Sequence, residues 1–230
     1  MNKILKSQLI LLTLLLLLLG ACTRQNRAKK NLFSEDFSEV LNTKKWISEI
    51  ESIPNSSVYT QNNRLVLNTK GGVTVWFNQV LSGNYEISFK RKVIIADGKN
   101  DRLSDLNVFW LAHTADNSNL FTRQGKFEEY DSLNMYYVGM GGNTNTTTRF
   151  RKYEANRQRK LLAEKNESKY LLKPNYDYQI KIIVKGNATS FWVDNELVFQ
   201  TTDQHFPSQS YFGFRSTFSH QEIWDFKVSR

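Results

Sequence analysis

From residue 32 to the C terminus, hydrophobic and polar side chains alternate in short runs, the period-two signature of strands with one buried face. In Tyr85 to Lys90, Tyr85, Ile87 and Phe89 point one way and Glu86, Ser88 and Lys90 the other; Ile180, Ile182 and Val184 repeat the pattern. The alternation predicts strands at 32–37, 57–60, 64–68, 73–77, 85–93, 105–113, 135–140, 147–153, 178–185, 189–194, 197–201, 211–216 and 222–228, with Trp46 entering the core beside them. These runs are rich in Val, Ile, Phe, Tyr, Trp and Thr and are punctuated by Gly, Asn and Asp, which predicts an all-β sandwich. Helix is scarce, and 155–162 is open between a helical turn and a charged loop. The run 105–113 breaks the rule. Val108 and Trp110 lie on one side and Asn107, Phe109, Leu111 and His113 on the other, so it is expected to be central and covered twice, with a ligand as candidate for the second cover.

The stretch 136–153 is the one the chain is organised around. Gly141-Gly142-Asn143 supplies the positive φ of a tight turn, making the stretch a hairpin. On its second arm Thr147, Arg149, Arg151 and Tyr153 share one side, and Thr148, Phe150 and Lys152 the other. Two guanidinium groups and a phenol on one face suit an extended, hydroxylated, anionic ligand, because Arg offers a planar fork to carboxylates and Tyr a stacking face and a hydroxyl. A solvated face with spare charges is the alternative.

At the amino terminus Lys3 and Lys6 precede the apolar run 9–19, which ends in Leu19-Gly20-Ala21-Cys22, the order of a secretion signal. Cys22 is the only cysteine in the chain and follows the small pair, so residues 1–21 are expected to be a lipoprotein signal peptide, Cys22 the lipid anchor and 22–31 a tether. A single transmembrane anchor would need a longer apolar run. With no other thiol, disulfides and cysteine-based catalysis or metal binding are excluded. Residues 32–230 are expected to form one domain, and no signal points to more than a monomer.

Charge sharpens the partner. Of the 31 Lys and Arg only two precede Cys22, leaving 29 against 22 acidic residues. Arg24, Arg27, Lys29 and Lys30 suit phospholipid head groups beside the anchor. Arg149, Arg151, Lys152, Arg157, Arg159 and Lys160 form a second basic cluster. No nucleic-acid motif accompanies it, and an exported lipoprotein rarely meets nucleic acid, so acidic polysaccharide is the expected partner. Basic residues after Cys22 give no sign of surface export, and a periplasm-facing envelope location is expected.

Phe33-Ser34-Glu35-Asp36-Phe37, Trp192 to Val198, Phe212-Gly213-Phe214-Arg215 and Ile223 to Val228, in that order, resemble the concanavalin A-like lectin/glucanase sandwiches. More narrowly, Asn100 to Trp110, Tyr130-Asp131, Tyr136 to Asn143, Thr147 to Tyr153 and Phe214-Arg215 through Ser219-His220 resemble an uncharacterised family of such sandwiches, found as exported proteins of polysaccharide-degrading bacteria. The resemblance implies a concanavalin A-like jelly-roll sandwich of two antiparallel sheets over about 32–230. It implies no assigned reaction. The Glu-x-Asp-x-x-Glu strand of the sandwich glucanases is not matched by Glu128-Glu129-Tyr130-Asp131, which argues against a retaining glycosidase.

Two readings of the chemistry stay open. In depolymerisation by a lyase acting on a uronate, Arg149, Arg151 and Asn107 neutralise the carboxylate, His113 or His220 takes the ring proton, and Tyr137 or Tyr153 serves the leaving oxygen, with a phenol pKa lowered by nearby Arg. Hydrolysis is the other route to depolymerisation. In non-catalytic glycan binding, Trp76, Trp110, Tyr136 and Tyr153 stack on sugar rings while Asp105, Asn107, Asn143, Arg149, Arg151 and Arg215 bond hydroxyls and carboxylates. The substrate-binding face is expected to be the concave one. Trp46, Trp192 and Trp224 are expected in the core. No cofactor and no catalytic metal is required; a structural Ca²⁺ has two candidate places, the oxygen-rich 97–105 and the pair Asp36 and Asp225, with an Arg102 ion pair to Asp101 or Asp105 as the alternative at the first. No serine-hydrolase elbow, zincin motif or phosphate loop is present.

Overall fold

The computed structural model describes residues 29–230; the expected signal peptide, the expected lipid anchor Cys22 and most of the expected tether lie outside the described residues. Thirteen strands follow one another: β1 (Asn31–Glu35), β2 (Trp46–Ile50), β3 (Ser57–Gln61), β4 (Arg64–Leu81), β5 (Tyr85–Val93), β6 (Leu106–His113), β7 (Asn134–Gly141), β8 (Thr147–Glu154), β9 (Arg159–Lys165), β10 (Tyr178–Lys185), β11 (Ala188–Val193), β12 (Glu196–Thr202) and β13 (Ser210–Ser229). All pairings between them are antiparallel.

Two strands are longer than the alternation predicts. The runs 64–68 and 73–77 are one strand, β4, and 211–216 and 222–228 are one strand, β13; they pair along their length, with a register shift between Thr217 and Ser219. A bulge of this kind bends a ladder and lets a strand pass from one layer to the next. The first half of β13 lies between β4 and β6, in a sheet running β2–β4–β13–β6–β7–β8–β9, here called the front sheet. Its second half pairs with β5, in a back sheet that continues through β10, β11 and β12 and takes β3 and β1 at its other side. The stretch 155–162, open between helix and loop, instead enters the edge strand β9, paired with β8.

The core fills the space between the sheets. Trp110 stacks on Phe150 with ring centroids 5.7 Å apart and planes at 7°, meets Phe191 of the back sheet at 6.4 Å, and donates its indole N–H to Thr189 Oγ1 at 2.8 Å. Trp46 packs between Phe37, Phe77, Phe214 and Phe226. Each such ring removed from water contributes roughly 1.5–3 kcal/mol. Trp192 and Trp224 are corrections: both are half-buried rather than in the core, and each carries a cation over its ring, Lys181 and Arg64. Their parity sets them on the outer face of the back sheet, where a polar tip and an apolar body both find partners.

Candidate functional site

The outer face of the front sheet is built in rows, because antiparallel register places side chains of like parity opposite each other. One row is polar: Glu49, Thr74, Arg215, Asn107, Gly139, Arg149 and Glu164 face one another in turn across the sheet. The next is aromatic, running Ile47, Trp76, Gly213, Phe109, Tyr137, Arg151 and Leu161. A third sets Met135, Tyr153 and Arg159 side by side. Arg149, Arg151 and Tyr153 share the parity of Asn107 and Tyr137 across the front sheet, on the side turned away from the core.

The second cover over β6 is the chain itself. Residues 114–133, between β6 and β7, lay Leu120, Phe121, Phe127, Tyr130 and Leu133 over Trp76, Phe109, Met135, Tyr137 and Tyr153, forming a second apolar cluster. Buried Glu49 holds this segment down by accepting from Arg123 N at 2.7 Å, Trp76 Nε1 at 2.8 Å and Tyr130 Oη at 2.9 Å. Burial raises the Glu49 pKa, against the three donors that lower it. Arg159 closes the other end with a fork onto Asp131 at 2.6 and 2.8 Å. The Glu128 to Asp131 stretch is therefore part of a 3-10 turn in the cover, with Asp131 committed to Arg159.

Beside the cover runs a strip from Arg102 and Asp105 through buried Asn107 and Gly139 to Arg149 and Arg151, its charged ends partly exposed. Gly139 is required there. A Cβ at this position would meet Tyr137 Oη at 2.2 Å, so the phenol lies across the glycine and faces the strip. Asp105 Oδ2 accepts from Arg102 and from Ser104 Oγ, and its Oδ1 lies 3.4 Å from Asn107 Nδ2. Arg149 forks onto Glu164 at 3.1 and 3.4 Å and lowers its pKa. Arg151 lies over the Tyr137 ring, 6.0 Å from its centroid, and makes no salt bridge among the described residues. In the same row and under the cover, fully buried Arg215 donates to Gly125 O and to Thr217 Oγ1 at 3.2 Å, leaving its Nε without a partner; Asn107 Oδ1 is unpartnered too. Burial lowers the Arg215 pKa, as it does for Arg91.

Several expected site residues are elsewhere. Trp110 and Tyr136 point into the core, and Tyr136 Oη donates to Asp203 at 2.6 Å, so neither can stack on a sugar. Trp76 and Tyr153 are on the outer face but fully buried under the cover. His113 lies at the far end of β6 from Asp105, on the order of 20 Å along the strand, with its Nδ1 against Leu111 O at 3.0 Å. His220 pairs with Asp101 at 3.1 Å, beyond the bend of β13. Neither histidine joins the strip. Asn143 is an exposed turn residue at φ 50°, and Arg215 is fully buried under the cover. The phenols shift opposite to expectation: burial outweighs the nearby guanidinium groups, raising Tyr137 and pushing Tyr153 up to about 12. The expected bases and acids are thus not gathered on the strip: His113 and Tyr153 instead line a pocket with Asn134, Lys152 and His205 at the other end of the sheet, and His220 stands with Asp101.

In the 97–105 loop, Asp101 accepts from Ala96 N and Gly98 N as well as His220, and Asp105 takes Arg102, the ion-pair alternative to calcium. Asp225 pairs with Lys90 at 2.9 Å. No cluster of three or more His, Cys, Asp or Glu able to hold a metal occurs among the described residues. Arg91 and Glu49 are residues the sequence reading missed. Arg91 had a signal: it shares parity with Tyr85, Ile87, Phe89 and Val93, a charge on an apolar face.

A family model, that of the domain of unknown function DUF6250, matches residues 67–226. A comparison with curated proteins gives no match. Among solved structures, a galectin-like protein of unknown function from Bacillus subtilis is similar at TM-score 0.70 and 16% identity, covering 88% of this chain and 98% of its own. The catalytic domain of an endo-1,3-β-glucanase (laminarinase) from Thermotoga petrophila is similar at TM-score 0.58 and 10% identity over 88% and 98%. The carbohydrate-binding module CBM66 of Bacillus subtilis reaches TM-score 0.55 at 13% identity over 81% and 96%. At these identities the likeness concerns the fold, a concanavalin A-like sandwich.

Proposed function

The chain belongs to the DUF6250 family, and from that premise we propose that it is a lipid-anchored envelope protein that binds an acidic polysaccharide along the strip from Arg102 to Arg151. One observation carries the reading. Arg151, at the end of the strip, has no carboxylate partner, and buried Arg215 in the polar row and Arg91 behind it make no ion pair among the described residues, while the nearby acids Asp105 and Glu164 are already paired. The strip is therefore net positive, and a uronate or sulfate group supplies the missing anion. Tyr137 Oη, held protonated, donates to sugar oxygens. The glucanase domain and the carbohydrate-binding module that share the fold support a glycan as the ligand. Cys22 carries the lipid, and the basic residues after it lie against head groups.

Retardation of the protein in gels containing pectic, algal or glycosaminoglycan polymers, with neutral β-1,3-glucan as control, tests the reading. Retardation by acidic polymers alone, without release of reducing ends or unsaturated products, is the expected result. Retardation by the neutral glucan alone overturns the acidic ligand. Release of either product makes the strip an active site and overturns the binding reading.

A further inference from the structure

The loop that brings Asp105 to the strip also walls a separate pocket. Asn55, Ser56, Ser57, Asn68, Lys99 and Asn100 line a cavity of about 360 Å³ next to β3 and the first part of β4. All six residues are polar. Asn100 is 4% exposed, and its Nδ2 donates to Asn55 O and to Asn68 Oδ1, both at 2.7 Å. Both amide hydrogens are thus used. Because a backbone carbonyl can only accept, Asn55 O decides which way the amide faces. The Oδ1 of Asn100 is left shielded and without a hydrogen-bond partner. Such an acceptor calls for a donor, which water or a ligand hydroxyl provides. Ser57 and Asn68 stand opposite each other in the β3–β4 register, adding a hydroxyl and an amide to the same wall.

We propose that this pocket is a second carbohydrate subsite, taking one sugar ring that bears a carboxylate. A ring hydroxyl donates to Asn100 Oδ1, Ser57 and Asn68 bond its neighbours, and the Lys99 ammonium faces the carboxylate. The cavity is at the small end of the range for ligand sites, which suits a single ring. Asn100 and Asp105 are five residues apart, at most roughly 18 Å of chain, so a polymer of several rings lying on the strip can also reach the pocket. The subsite does not require the strip.

Isothermal titration of the protein with galacturonate and with galactose is the test. Galacturonate is expected to bind saturably and at least fivefold more tightly than galactose. Ser57→Trp fills the pocket from an exposed wall and should abolish galactose binding together with the pocket's share of galacturonate binding. Lys99→Gln should bring the two affinities together. Any galacturonate binding that Ser57→Trp leaves and Arg151→Ala removes belongs to the strip, which separates the two sites. No binding of either sugar to the unmodified protein leaves Asn100 satisfied by water alone and overturns the proposal. Galactose binding that survives Ser57→Trp, or galacturonate binding that survives Ser57→Trp combined with Arg151→Ala, also overturns it.

Discussion

Arg91 Nη1, on the back sheet, donates to the carbonyl oxygen of Asn107, on the front sheet, at 2.7 Å. Its Nη2 donates to Arg215 O at 2.9 Å and its Nε to Gln221 Oε1 at 2.6 Å. One fully buried guanidinium thus fixes the backbone under two residues of the polar row. Replacing it with Met keeps much of the bulk and removes every donor. The expected loss is roughly 2–4 kcal/mol, since each buried acceptor left unpaired costs about 1–3. Urea unfolding measures it, and an unchanged midpoint would show that these carbonyls have other partners.

Glu49 makes the cover over the aromatic row sensitive to pH. Burial raises its pKa above the ordinary 4.5, so between that value and the folded one the folded state holds a proton that the unfolded chain has lost. The stability this group contributes is full below pH 4.5 and declines as pH rises through the folded pKa. Unfolding free energy followed from pH 4 upward should show this decline. Glu49→Gln should remove that component of the slope. The variant should also unfold about 1–3 kcal/mol more readily, because an amide N–H would then face donors that now meet a carboxylate.

Tyr153 is buried with an unpartnered hydroxyl. Its neutral form is favoured in the fold, with its pKa pushed from 10.0 to about 12, so the stability it contributes holds below pH 10 and is lost as pH rises through 12. Tyr153→Phe should be neutral or stabilising by up to about 1 kcal/mol, since it removes a polar group that has no partner. Polymer retardation should be unaffected. A loss of binding in this variant would mean that the cover opens and the phenol meets the ligand.

Arg149 and Arg151 carry the same charge but differ in what holds them. Arg149 is committed to Glu164 and Arg151 to no carboxylate, so Arg151→Ala should weaken acidic-polymer binding the more. Glu164→Gln frees Arg149 and should tighten binding by roughly threefold, in keeping with a half-exposed pair worth under about 1 kcal/mol. Retardation at rising salt should narrow the difference between the variants. Equal effects of the two arginine substitutions would place the ligand elsewhere.

The sequence by itself determined most of the strands, β2 and β9 apart, with their faces and the class of fold, because alternation is a local consequence of the pleat and survives in any tertiary context. The same parity rule put Thr147, Arg149, Arg151 and Tyr153 on one side of β8, and the structure agrees. Only the tertiary structure decided which polar groups stay available. Tyr153 and Trp76 share the outer face with Arg151 yet lie under residues 114–133, a segment with little periodic pattern to announce where it folds back. The two histidines that read as alternative bases are apart because strand length keeps His113 remote from Asp105 and the bend in β13 takes His220 to Asp101, while Tyr137 and Tyr153 stay in ring contact. Burial then raised the phenols that neighbouring arginines were expected to lower, since desolvation depends on what packs around a group and not on its neighbours in the chain.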